Sequence, residues 1–125
     1  MITKAFEVRD RGTFIPVVAI KMVTHCMPDI TGDQFDAEVY LLRRAGYNFE
    51  HPSILLCRME ASGVRDNATY DAYAWGQNPR TMHVAHLHIE QNFDELESGA
   101  VVDVEYILGE KTEKKVSERL GDPFL

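Results

Sequence analysis

Asn78-Pro-Arg-Thr-Met-His-Val-Ala-His-Leu-His-Ile-Glu-Gln-Asn-Phe-Asp-Glu-Leu-Glu97 decides how the rest of the chain is read. Asn78 can cap a helix with its side-chain oxygen, and Pro79 suits the first helical position, where a missing N–H costs nothing. Met82, Ala85, Ile89, Phe93 and Leu96 then recur at helical spacing, and Gly99 stands where a left-handed stop belongs. A helix over 79–97 is therefore expected. The aromatic, breaker-rich segment Tyr70-Asp-Ala-Tyr-Ala-Trp-Gly-Gln77 would lead into it as a loop held at one end.

Working outward, a second helix is expected before it. Thr31 or Asp33 offers a cap, Phe35, Val39 and Leu42 fall at i, i+4, i+7, and Gly46 follows the last turn at Ala45. Near the start, Phe6 and Val8 alternate with Glu7 and Arg9. Asp10-Arg-Gly-Thr13 then reads as the turn of a hairpin whose second strand is Val17–Met22, with Pro16 at its first residues. Ser53–Met59 is short and nearly continuous in apolar residues, which describes a central strand buried on both faces. Val64 to Gln77 has no clear period and reads as one long loop. Val102, Val104, Tyr106 and Leu108 alternate with Asp103 and Glu105, the pattern of a half-buried strand. The order β-β-α-β-α-β implies an α+β fold, a two-layer sandwich in which a mostly antiparallel sheet of about four strands carries two helices on one face. Residues 1–110 would form this single domain. Residues 111–125, rich in Glu, Lys, Ser and Arg, would form a charged, solvated or partner-docking C-terminal arm.

Composition narrows the function classes. A length of 125 residues suits one domain with its own core, and 45% hydrophobic with 26% charged residues is ordinary for a folded chain. The formal charge of −7 opposes nucleic-acid binding, because each neutralised phosphate needs a lysine or arginine. It favours, if anything, a basic protein partner. Val17–Ile20 and Ile54–Cys57 are the longest apolar runs, far short of the roughly 20 residues that cross a bilayer as a helix, so no membrane span is expected. Cys26 and Cys57 lack metal or redox spacing, and no secretory leader is read at the start, which points to a reducing cytoplasm.

Candidate chemistry concentrates in the opening stretch. Three histidines, His83, His86 and His88, resemble a metal motif, but on a helix His88 points away from the other two. His83, His86 and Glu90 can converge there, being i, i+3 and i, i+4. Such a two-histidine, one-carboxylate set would suit a metal-assisted hydrolase; the plainer reading makes His86 a boundary residue and His83 a solvated one. Tyr70, Tyr73, Trp75, Arg80 and His83 can line a stacking pocket for a nucleotide-like ligand or a protein partner, because rings offer flat apolar faces and guanidinium offers planar hydrogen bonding. Trp75 anchoring its own loop would explain the same residues by packing. Cys57 reads as inert core. Cys26 has His25 beside it, but neighbours on an extended chain point in opposite directions. Asp29, Asp33 and Asp36 read as helix-capping acids, and Asp94, Glu95, Glu97, Asp103 and Glu105 as an acidic face.

No phosphate-loop, dinucleotide, zincin or serine-hydrolase motif is present. With no recognisable catalytic set and no cofactor expected, the sequence favours a small, non-catalytic binding or inhibitory protein that uses its 70–80 loop. A homodimer through an edge strand or the acidic face would be compatible with it.

The stretches Phe6-Glu-Val-Arg-Asp-Arg-Gly-Thr-Phe-Ile-Pro16 and Asn92-Phe-Asp-Glu-Leu-Glu-Ser-Gly-Ala-Val-Val-Asp-Val-Glu-Tyr-Ile-Leu-Gly-Glu110 resemble short uncharacterised proteins carried by bacteria and their phages. The resemblance implies a setting only, that of an accessory cytoplasmic protein on mobile DNA. No catalytic residue comes with it.

Overall fold

Ala85, Leu87 and Ile89 alternate with His86, His88 and Glu90, and in the computed structural model of the chain this period of two prevails over the helical one. The structure describes residues 2–9, 16–28, 32–44, 53–61, 63–71, 81–92, 99–108 and 110–120. They form eight strands: β1 (Ile2–Arg9), β2 (Pro16–Pro28), β3 (Gly32–Arg43), β4 (Ser53–Ala61), β5 (Val64–Asp71), β6 (Thr81–Asn92), β7 (Ala100–Leu108) and β8 (Lys111–Leu120). Every pairing is antiparallel, in two four-stranded sheets of order β1-β2-β3-β6 and β5-β4-β7-β8.

The α+β expectation is thus overturned: among the described residues the chain is all-β. Both expected helices are strands, and the reason is visible in what the helical stripes left out. The stripe through Met82, Ala85 and Ile89 omits Leu87, which is fully buried in β6. The stripe through Phe35, Val39 and Leu42 omits Ala37 and Leu41, which are fully buried in β3, while Leu42 lies on the other face. A strand buries Phe35, Ala37, Val39 and Leu41 together in β3, and Ala85, Leu87 and Ile89 together in β6, whereas a helix strands some of them in water. Of the acids read as caps, Asp36 stands in mid-strand. Asn78, Pro79, Gly46 and residues 93–97 lie outside the described residues.

The core lies between the sheets. From the first, the rows Cys26–Phe35–Ile89, Thr24–Ala37–Leu87 and Met22–Val39–Ala85 face inward. From the second come Leu55–Tyr106, Cys57–Val104 and Met59–Val102. Tyr106 is the largest fully buried side chain, and its hydroxyl donates to Ser53 Oγ at 3.3 Å. At their borders the sheets approach one another: β5 runs beside β6, and Lys4 of β1 pairs with Glu118 of β8 at 2.7 Å. The free edge of β6 is blunted by Asp66 of β5, whose Oδ2 accepts the backbone N–H of His88 at 3.0 Å.

Other expectations fare differently. The hairpin of β1 and β2 is present, with Pro16 opening the second strand beyond a register shift at Val8/Arg9. β4 is internal to its sheet as expected, yet only one of its faces is core, since Leu56 and Arg58 are exposed on the other. β7 buries Val102, Val104 and Tyr106 as its alternation required. Val64–Asp71, read as loop, is β5, joined to β4 across a two-residue turn in which Gly63 adopts a φ of +81°, a left-handed value that glycine reaches without penalty. The segment read as a charged arm supplies β8, which pairs with β7 and adds Val116 and Leu120 to the core. Its six charged side chains hid two apolar residues four apart on one face of a strand. Among the described residues no helix is long and apolar enough to cross a membrane.

Candidate functional site

Antiparallel pairing of β3 with β6 sets Glu90 opposite Gln34, His88 opposite Asp36 and His86 opposite Glu38, all on the outer face of the first sheet. A register shift between Val39 and Tyr40 then leaves Val84 without an opposite number and places His83 opposite Tyr40. The bulge restores parity, so His83 shares the outer face with His86 and His88 despite the odd spacing. Across β3, His25 of β2 stands opposite Asp36. Four of the five histidines of the chain thereby decorate one face of one sheet.

Two small clusters result. In the first, the Tyr40 and His83 rings lie 4.9 Å apart, centroid to centroid. Lys21 Nζ sits 5.2 Å from the Tyr40 ring centroid, and the Tyr40 hydroxyl donates to Glu38 at 3.3 Å. In the second, Asp36 Oδ1 accepts from His86 Nε2 at 2.9 Å and from His88 Nδ1 at 2.8 Å, while His88 Nε2 faces Glu90 Oε1 at 3.5 Å. A carboxylate only accepts, so both nitrogens that meet Asp36 carry hydrogens.

The electrostatics follow from this geometry. The Asp36 hydrogen bond, with help from Glu90, raises the His88 pKa above its ordinary value against a partial desolvation that would lower it. Partial burial alone would raise the Asp36 carboxyl, but the two imidazoles, His88 foremost, outweigh it and hold the group below its ordinary value. The elevated His88 contributes stability that is complete below its unfolded pKa of about 6.5 and lost as pH rises through the higher folded value. The depressed Asp36 contributes stability present above about 3.8 and lost as pH falls through its lower folded value. The pair is therefore strongest between about pH 4 and 6.5. Because the His88 side chain is 42% exposed, solvent screening keeps the gain below about 1 kcal/mol. Melting curves at about pH 5.5 and 8.5 should show the wild type losing more stability on alkalinisation than Asp36→Asn; equal losses would remove this pair from the account.

The expected sites are only partly assembled. His83, His86 and Glu90 do share a face, although of a strand, and each is turned to another partner: His83 to Tyr40, His86 to Asp36, Glu90 toward His88. His88, which a helix would have directed elsewhere, joins His86 on Asp36. Among the described residues no three ligating side chains form a ready-made metal set. Tyr70 is half-buried on β5 and packs against the core, where burial first and Asp71 second push its hydroxyl pKa upward. Tyr73, Trp75 and Arg80, and with them the expected aromatic pocket, lie outside the described residues. Cys57 is buried and its thiol is pushed up to about 12 by desolvation, which suits core packing and not nucleophilic attack. His25 and Cys26 do point to opposite faces, His25 to solvent and Cys26 toward the core.

On the outer face of the second sheet, Leu56, Arg58, Asn67, Thr69, Asp103 and Lys115 border an open depression of about 340 Å³. Its acids are engaged, Asp103 with Arg58 at 3.2 Å and Glu105 with the Thr112 hydroxyl. Asp36, Tyr40, His25 and His88 escaped the sequence reading as site residues. The signal for His86 and His88 was their i, i+2 spacing, which means one face only if the segment is a strand.

Fold and face together define a class: a protein of two antiparallel β-sheets over one core, with an exposed sheet surface rich in histidine, acid and aromatic groups. No protein-family model, curated protein or solved structure matches the chain.

Proposed function

We propose that the chain is a non-catalytic, cytoplasmic protein-binding module whose contact surface is the outer face of β3 and β6. One observation carries the reading: Asp36, Glu38 and Glu90 share that face with the Tyr40, His83, His86 and His88 rings, on a backbone fixed by the fully buried row beneath it. Acids beside flat rings suit arginine, whose guanidinium pairs with carboxylates and stacks on aromatic faces. A chain of net charge −7 would also attract a basic partner before contact. The resemblance to phage-borne accessory proteins fits such a role without adding a residue to it.

An arginine-rich peptide titrated against the isotopically labelled protein at physiological salt tests the surface. Amide shifts should cluster on β3 and β6 and shrink at least about fivefold in Glu38→Gln/Glu90→Gln, since two of the three carboxylates on this face would be gone. Shifts spread over every acidic segment, or centred on β7 and β8, would refute the assignment.

A further inference from the structure

The second cluster supports a site of a different kind, independent of the protein-binding reading. We propose that His86, His88 and Asp36 bind one divalent transition-metal ion, of the zinc, nickel or copper type, on the outer face of β6.

One point in the structure, Asp36 Oδ1, already lies 2.9 Å from His86 Nε2 and 2.8 Å from His88 Nδ1. As they stand the three side chains do not form a metal set; an ion near that point needs each nitrogen to approach to about 2.1 Å and the carboxylate oxygen to step aside into the first coordination shell. The side chains have room to do so, since those of His86 and His88 are 52% and 42% exposed and that of Asp36 is 26% exposed. Their backbones are held in paired strands with buried neighbours: residues 86 and 88 flank the fully buried Leu87, and Asp36 lies between the fully buried Phe35 and Ala37. Such a strand pair fixes the spacing of the ligands while leaving their torsions free, which is what a chelate on a sheet requires.

Proton accounting is consistent with the ligand set. Metal at Nε2 of His86 requires that ring to carry its hydrogen on Nδ1. Metal at Nδ1 of His88 leaves its hydrogen on Nε2, which faces Glu90 Oε1 at 3.5 Å. Glu90 thereby becomes the outer partner that orients a metal-bound imidazole. The hydrogen that each ring now gives to Asp36 is lost to solvent or moved to the other ring nitrogen. Two imidazoles and one carboxylate match the preference of zinc, copper and nickel over calcium or magnesium.

Isothermal titration of the untagged full chain with zinc chloride, and separately with nickel chloride, at neutral pH should find one ion per chain. His86→Ala and His88→Ala should each weaken binding at least about tenfold, and Asp36→Asn should weaken it measurably. His83→Ala is the control, because His83 is on the same face but turned to Tyr40; it should change affinity less than about twofold. Metal-free melting curves should show each variant folded, because the substituted side chains are partly or largely exposed. The proposal is overturned if no stoichiometric ion is taken up, if binding survives His86→Ala/His88→Ala, or if His83→Ala is as damaging as the other two.

Discussion

Leu87→Asp should abolish folding. Leu87 is 0% exposed and lies opposite Ala37 on the first sheet's inner face, so an aspartate there buries a carboxylate with no partner. The combined loss of apolar burial and the desolvation of a charge amounts to more than about 4 kcal/mol, comparable to the whole stability of a typical small domain. His86→Ala, one residue away and facing solvent, should cost less than about 1 kcal/mol. The contrast also separates strand from helix. On a helix over 79–97 Leu87 would lie on the far side from Met82, Ala85 and Ile89 and would accept a charge, whereas His86 would flank the apolar stripe. Chemical denaturation of the two variants reads the difference directly, and a folded, cooperative Leu87→Asp protein would contradict the sheet.

The second large effect is a reversal within β3. Leu41 is fully buried opposite Ile20 and Met82, and its replacement by alanine should cost about 2–5 kcal/mol through lost transfer energy and the cavity left behind. Leu42→Ala, on the outer face, should cost less than about 1 kcal/mol. A helical stripe through Phe35, Val39 and Leu42 demands the opposite ranking. Urea midpoints of the two variants decide between them, provided the slopes stay equal to that of the wild type.

These two pairs of residues also show how far the sequence could be read. Where a segment alternates without a competing period, as in Phe6–Val8 against Glu7–Arg9 or Val102–Tyr106 against Asp103–Glu105, the strand was legible. Its neighbours were less so. In 82–89 and 35–42 some of the same apolar residues satisfy both a period of 3.6 and a period of two, and only the unclaimed Leu87, Ala37 and Leu41 distinguish them. In 111–120 the charges dominated, and the core contribution of Val116 and Leu120 was invisible without β7 to place it. The candidate site was legible as a set of residue types, histidines with a carboxylate, but its membership was not. Asp36 is fifty residues from His86, and no local pattern connects them.

By itself the sequence determined the composition of this protein's surface and core: an acidic chain, two cysteines with one in an apolar segment, and the hairpin strands whose alternation has a single interpretation. Tertiary structure alone decided that 32–43 and 81–92 are strands, that a bulge brings His83 onto the face of His86, and that Asp36 stands beneath two imidazoles. The physical reason is that a strand's hydrogen bonds are made to residues far away in the chain. Local propensity can nominate a segment for a sheet, but the partner that satisfies its backbone sets which side chains meet.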